Sequence, residues 1–421
     1  MNYIINNIKS YRYNYIVLVS LVLASGSLFA QTPLQVYQDT AAINNPGIQA
    51  LFKQYEVVMQ KVPQSSTLPD PTFGFGYFIS ATETRVGPTQ AVMSVSQSFP
   101  WFGKLGAQEQ ATTERALVVL EKYNDRRAKL NFDVANTYNT LYVLRSAVSL
   151  TAKNIALLET FKDLARVRFE SGRGSMVDVL RIEMEMDELE NQLEYLKDSK
   201  QPLTTQFEQL LNTKMNEEVL FPEVLWEDNL SMSKELIMDS VTTMNPAILS
   251  LNHEILSFDQ DVIAAKKTGG PSFTIGLNYT IVGQRSDYTG SDNGKDAILP
   301  TIGVRIPLYR KNYDALVMEK EIARESVSLQ KVDKINVLVT GLERGFRDYD
   351  DAVRRTALYI ELGDHAQQAM DVLIAEYTSA NTNFEEIIRM DRKLLKYQLE
   401  LEKARADQNT SVSYINYLMG K

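Results

Sequence analysis

The chain has 421 residues, 44% hydrophobic and 23% charged, with a formal net charge of −9. That is the composition of an ordered protein, and its acidity argues against a nucleic-acid partner. It has no cysteine, which excludes disulfides, thiol chemistry and a lipidated cysteine, and with only two histidines, His253 and His365, a metal centre would need a nearly all-carboxylate site.

Residues 1–30 read as a secretory signal peptide: Lys9 and Arg12 precede an apolar run from Tyr15 to Leu23, small residues and Leu28-Phe29-Ala30 follow, and cleavage is expected after Ala30, with Leu28 a weak match to an A-x-A site. No later segment reaches about 18 consecutive apolar residues, so no second membrane helix is expected. Leu34–Lys61 has helical spacing with a break and restart at Asn45-Pro46, and Pro63, Pro69 and Pro71 end it. Two alternating stretches follow. In Thr72–Ser80, Phe73, Phe75, Tyr77 and Ile79 share a face; in Gln90–Phe99, Met93, Val95 and Phe99 oppose Ser94, Ser96 and Ser98. From Lys104 to Phe169 there is no proline and apolar residues recur at helical spacing, giving one helix of about 66 residues and roughly 100 Å. A compact domain has no room for it. Met176–Asn212 is a further helix, with a kink expected just before Pro202. Thr213–Thr243 reads as a short strand and a helix joining two halves.

The halves repeat. Asn45-Pro46 recurs as Asn245-Pro246 and Pro71-Thr72-Phe73 as Pro271-Ser272-Phe273, at an offset of 200; Tyr138 matches Phe346 and Asp178-Val179-Leu180 matches Glu386-Ile387-Ile388, at 208. The added residues fall in the polar run Gly283–Ala297, a loop tip. The division is therefore 31–213, 214–243 and 244–421, with β-hairpins at 72–99 and 272–306. In the second hairpin, Phe273, Ile275, Leu277, Tyr279 and Ile281 oppose Thr274, Gly276, Asn278 and Thr280. One apolar and one small-polar face is the transmembrane β-barrel pattern, with Phe99, Trp101, Phe102 and Tyr309 as an interfacial girdle. Asn278 and Arg305 then line the lumen. Four strands cannot close a barrel, and lipid tolerates no open sheet edge, so several copies must combine.

Three stretches carry a family resemblance: Pro69-Asp70-Pro71-Thr72-Phe73-Gly74-Phe75-Gly76, Ser96-Gln97-Ser98-Phe99-Pro100-Trp101-Phe102-Gly103-Lys104, and the helix turn from Arg168 to Leu180. With the duplication, they resemble the TolC family of outer-membrane efflux ducts, nearest its heavy-metal-efflux (CusC/CzcC-like) branch. The resemblance implies a mainly α fold with a small β part. A homotrimer would share a 12-stranded barrel in the outer membrane and an α-helical barrel across the periplasm, with an inner-membrane pump and a periplasmic adaptor as partners. The adaptor would dock at the turns, Ser171, Gly172, Arg173 and Gly174 in the first repeat and Ser379, Ala380 and Asn381 in the second. Glu385, Glu386 and Arg389, with Asp178 and Arg181 in the first repeat, would mark the periplasmic entrance. Glu386 stands where the family places an acid, whereas Arg389 replaces a second one and can instead pair with Glu386 at i,i+3. The competing class is a non-conducting periplasmic coiled-coil scaffold or adaptor.

Other features have plain readings. Met176, Met184, Met186 and Met390 read as core filler. Glu183, Glu185, Asp187, Glu188 and Glu190 read as a solvated or channel-facing stripe. His253 and His365 lack ligand spacing. No nucleophile constellation and no cofactor motif is present, so no enzyme activity is expected.

Overall fold

A computed structural model describes residues 32–215, 218–379 and 384–421. The signal-peptide reading of 1–30 lies outside these residues. The described elements run α1 (Pro33–Asn44), α2 (Pro46–Met59), α3 (Lys61–Ser66), β1 (Thr72–Tyr77), β2 (Glu83–Thr84), β3 (Gly87–Phe99), α4 (Lys104–Glu170), α5 (Met176–Asp198), α6 (Lys200–Leu211), α7 (Lys234–Met244), α8 (Pro246–Thr268), β4 (Ser272–Val282), β5 (Ala297–Arg305), α9 (Arg310–Ser379) and α10 (Phe384–Leu418). The order of short helices, strands, long helix and return helix occurs twice. The long helices have 67 and 70 residues.

Local chemistry sets the breaks. Thr32 and Asn245 cap helices that begin with proline, whose missing N–H costs nothing at a first helical position. Between α5 and α6 the helix is interrupted at Ser199, three residues before Pro202, as the proline requires. Pro63 does not end a helix. It falls in the first turn of α3, where a proline is tolerated, and the helix continues to Ser66.

The chain folds into two compact units that cut across the repeats. One consists of residues 32–45, Leu130–Asn229 and Arg347–Tyr414. Tyr138 is central to it, buried among Tyr37, Phe207, Phe221 and Trp226, with its hydroxyl donating to the Leu220 carbonyl at 2.9 Å. By length and composition alone, α4 holds one stretch apolar enough to cross a membrane, although charged residues interrupt it. Only 28% of that stretch is buried. Val134, Tyr138, Leu141 and Leu144 of α4 are buried in this unit. The joining segment forms no strand among its described residues. Side-chain amides take the place of a partner strand: Asn409 accepts from the Asp228 N–H and donates to the Trp226 carbonyl, both at 2.8 Å, and Gln408 donates to the Asp228 carbonyl at 2.8 Å. The helical part of the expectation is α7.

The other unit consists of Pro46–Lys129, Leu230–Phe346 and Ile415–Lys421 and contains the sheet. Its strand order is β1-β3-β4-β5, all neighbours antiparallel, with the two-residue β2 paired to the start of β3. Helix α8 packs here through Ile248, Val262, Ala264 and Ala265, and His253 meets the Glu114 carboxylate at 2.8 Å, a structural contact between helices.

Candidate functional sites at the helix turns and on the sheet

The strand register sorts the sheet into two faces. Phe73 lies opposite Val95, Val95 opposite Leu277, Phe75 opposite Met93 and Met93 opposite Tyr279; Ile275 lies opposite Ile302 and Phe273 opposite Val304. Because alternate residues point to opposite sides, all of these share one face. Most are exposed, Ile302 by 79%. The other face carries Gly74, Ser94, Ser96, Asn278, Gly276, Thr274, Thr301, Gly303 and Arg305. Asn278 and Arg305 both lie on this side at different levels, Asn278 opposite Leu299 and Arg305 opposite Ser272. An apolar sheet face left open to this extent must meet something other than water. At the end of the sheet where strands give way to helices, Trp101 stacks on Phe273 with centroids 5.9 Å apart and meets Phe102 edge-on, while Phe102 and Tyr309 are exposed. Phe99 lies opposite Phe273.

At the first helix turn, the end of α4 is fixed by its own backbone. The Gly172 N–H donates to Phe169 and the Arg173 N–H to Arg168, both at 2.9 Å, with Gly172 at φ +74°. This is the paired closure that needs a left-handed residue, hence glycine. A Cβ on Gly174 would come within 3.1 Å of the Phe169 backbone nitrogen and the Arg168 Cβ. Ser175 then caps α5 by accepting from the Val177 N–H at 3.1 Å, and Asp178 sits in its first turn, near the positive end of the helix. Ser379 ends α9; Ala380 and Asn381 lie outside the described residues.

Helix α10 begins at the buried Phe384, with Glu385 and Glu386 in its first turn. Glu386 is ion-paired with Arg389, while Glu385 is paired at 3.2 Å with Arg181 of the first repeat. Arg181, three residues from Asp178, thus makes a contact across the repeats, because it reaches the facing helix. A second cross-repeat contact escaped the sequence: the Arg168 guanidinium stands 4.1 Å over the Tyr377 ring, and Tyr377 meets Phe384 edge-on at 5.0 Å. Burial raises the Tyr377 phenol above its ordinary value.

Behind these contacts lies a core that includes Leu158, Phe161, Val179, Ile182, Met370, Tyr377, Phe384 and Ile387. Met186 belongs to it and Met390 packs against it, but Met184 is exposed and Met176 partly so; these two fall on the outer side of α5. Glu185 also departs from its expectation. It is buried beside the core and ion-paired with Arg392, whereas Asp187, Glu188 and Glu190 are exposed. Near it the Asp391 carboxylate, 1% exposed, accepts from the Asn154 amide at 2.9 and 3.0 Å. Burial, with a smaller contribution from Glu185, pushes Asp391 up to about 6, against the opposing Asn154 bonds. Among the described residues no cluster of three or more His, Cys, Asp or Glu side chains is arranged to hold a metal ion.

Residues 38–213 match the family model for outer membrane efflux proteins. No curated protein matches the chain. Among solved structures, CusC, described in terms of transmembrane channel formation, is 13% identical, with 91% of each chain covered and a TM-score of 0.75. VceC, an outer membrane protein of Vibrio cholerae, is 13% identical over 92% of this chain and 96% of its own, with a TM-score of 0.72. The MtrE outer membrane channel of Neisseria gonorrhoeae, in its open state, is 13% identical over 92% of this chain and 88% of its own, with a TM-score of 0.73. The chain has the fold of these channels. Its likeness to CusC is level with its likeness to the others, so the heavy-metal branch is not singled out.

Proposed function

We propose, from the match of residues 38–213 to the outer membrane efflux protein family model and from a fold like that of outer-membrane channels, that the protein is the outer-membrane exit duct of an efflux system. The observation that carries this reading is the two-faced sheet. Its apolar side suits lipid and its small-polar side suits a water-filled lumen. In one chain β1 and β5 are the two edges, and an open edge is not tolerated in hydrocarbon. Pairing β5 of one copy with β1 of the next closes the sheet, and three copies, the number the family resemblance implies, give about 12 strands.

The duct performs no chemistry. Small molecules or metal ions pass by diffusion, with energy supplied by an inner-membrane pump and coupling by a periplasmic adaptor. Residues 1–30 direct export as a cleaved signal peptide. The turns Ser171–Ser175 and 379–383 face the adaptor. Arg305 and Asn278 line the barrel, and the apolar faces of 72–99 and 272–306 meet lipid. At the entrance, Glu385 and Glu386 each face an arginine, so opening must break Arg181–Glu385 and release Arg168 from Tyr377 rather than only overcome a ring of acids. Reconstitution into planar bilayers tests the reading. A trimer from outer-membrane extracts should conduct ions; a periplasmic monomer without conductance fits the scaffold class instead.

A further inference from the structure

The Asp391 carboxylate sits at a junction between two helical hairpins, α4–α5 of the first repeat and α9–α10 of the second. Asp391 is on α10 of the second repeat; Asn154, which donates to both of its oxygens, is on α4 of the first. Asn154 presents a second polar atom at the same place. Its Oδ1 is buried and accepts no hydrogen bond among the described residues. A buried acceptor left open beside a carboxylate is costly, and a carboxylate has no hydrogen to offer it. A carboxylic acid has one. With Asp391 protonated, a modest turn of the Asn154 amide gives a paired arrangement: amide N–H to carboxyl oxygen, and carboxyl O–H to amide oxygen.

The surroundings favour that form. Helix α5 contributes Glu185, whose side chain is 7% exposed and which is ion-paired with Arg392, the neighbour of Asp391 on α10. Helix α9 contributes Met370 and Tyr377 to the adjoining core. Glu185 and burial both disfavour a second negative charge, and Arg392 is already engaged.

We propose that Asp391 and Asn154 form a proton-operated latch between the two helical hairpins, closed when Asp391 carries a proton and weakened when it does not. This rests on the exit-duct reading only for its consequence, a periplasmic entrance that opens more readily at neutral than at acid pH. The sign follows from linkage. Packing raises the carboxyl above its ordinary value, so the packed state holds the proton and separation of the hairpins releases it. Separation gains as pH rises from the ordinary carboxylate range to about 6 and is level above that.

Native-state hydrogen exchange on the detergent-extracted full-length protein tests the latch without depending on conductance. After correction for intrinsic chemistry, amides around Asn154 in α4 and Asp391 in α10 should open about tenfold more often at pH 7.5 than at pH 5. Asp391→Asn, which keeps a donor and an acceptor but cannot titrate, should be equally protected at both. Exchange independent of pH in the wild type, or a pH response that survives in D391N, overturns the latch. Should D391N fail to assemble, Glu185→Gln carries the test: its midpoint should fall to lower pH, and an unmoved midpoint overturns the proposal. Failure of the duct reading shows separately, as an absence of conductance at every pH while the exchange profile keeps its shape.

Discussion

Asn245 donates its side-chain amide to the carbonyl of Leu418 at 2.8 Å, joining the start of the second repeat to its end. Asn45 makes the matching bond in the first repeat, to the carbonyl of Leu210 at 3.2 Å. The Asn-Pro pair therefore does two things in each copy. Its proline starts a helix, and its asparagine occupies a carbonyl near the end of the repeat's last helix. Asn245→Ala loses both the cap and a buried hydrogen bond and should cost about 1–3 kcal/mol. Asn245→Asp keeps the acceptor for the Ala247 N–H but sets a buried carboxylate against the Leu418 carbonyl, and should cost as much as the alanine or more. Thermal melts of the purified protein measure both.

Much of this architecture can be read from sequence because its signals are local. Proline positions, the two hydrophobic periods and the offset of about 200 residues mark the elements without reference to anything distant. What could not be read depends on partners far along the chain. Glu185 sits in a run of acids that looks uniformly solvated, and only Arg392, 207 residues away, sets it apart. Arg181 has Asp178 close by in sequence, yet pairs with Glu385. The segment after Asn212 reads as a short strand and a helix, but the backbone groups of Trp226 and Asp228 are met by the amides of Gln408 and Asn409, which no local pattern announces.

The Arg168–Tyr377 contact joins the ends of α4 and α9 and should hold the entrance closed. A cation over an aromatic face contributes about 0.5–2 kcal/mol, so Arg168→Ala should raise resting conductance by roughly 2- to 30-fold. Tyr377→Phe keeps the ring and should stay near wild type, whereas Tyr377→Ala should resemble Arg168→Ala. Single-channel recordings separate these outcomes.

The two sheet faces should respond oppositely to charge. Ile302→Arg puts a guanidinium on the lipid side and should cost about 2–4 kcal/mol near the bilayer midplane, seen as loss of assembled protein from the outer membrane. Thr301→Arg, next along β5 on the small-polar face that the exit-duct reading assigns to the lumen, should assemble normally. Equal effects at the two positions would mean that the faces are not differentiated by lipid.

Arg305, on the polar face at the end of β5, should disfavour cations inside the barrel. Arg305→Glu should shift the reversal potential in a salt gradient toward cation selectivity, with little change in assembly. An unchanged reversal potential would place Arg305 away from the conduction path.

The most direct test is to capture closure of the barrel between copies. The chain has no cysteine, so introduced pairs have no background. Phe73, Phe75 or Tyr77 on β1 and Ile298, Ile302 or Val304 on β5 would be changed to cysteine in pairs, and outer membranes oxidised. Closure by β5 of one copy on β1 of the next predicts covalent trimers on a denaturing gel for the pairs that fall in register. Monomers for every pair, with the sheet edges unlinked, would contradict it.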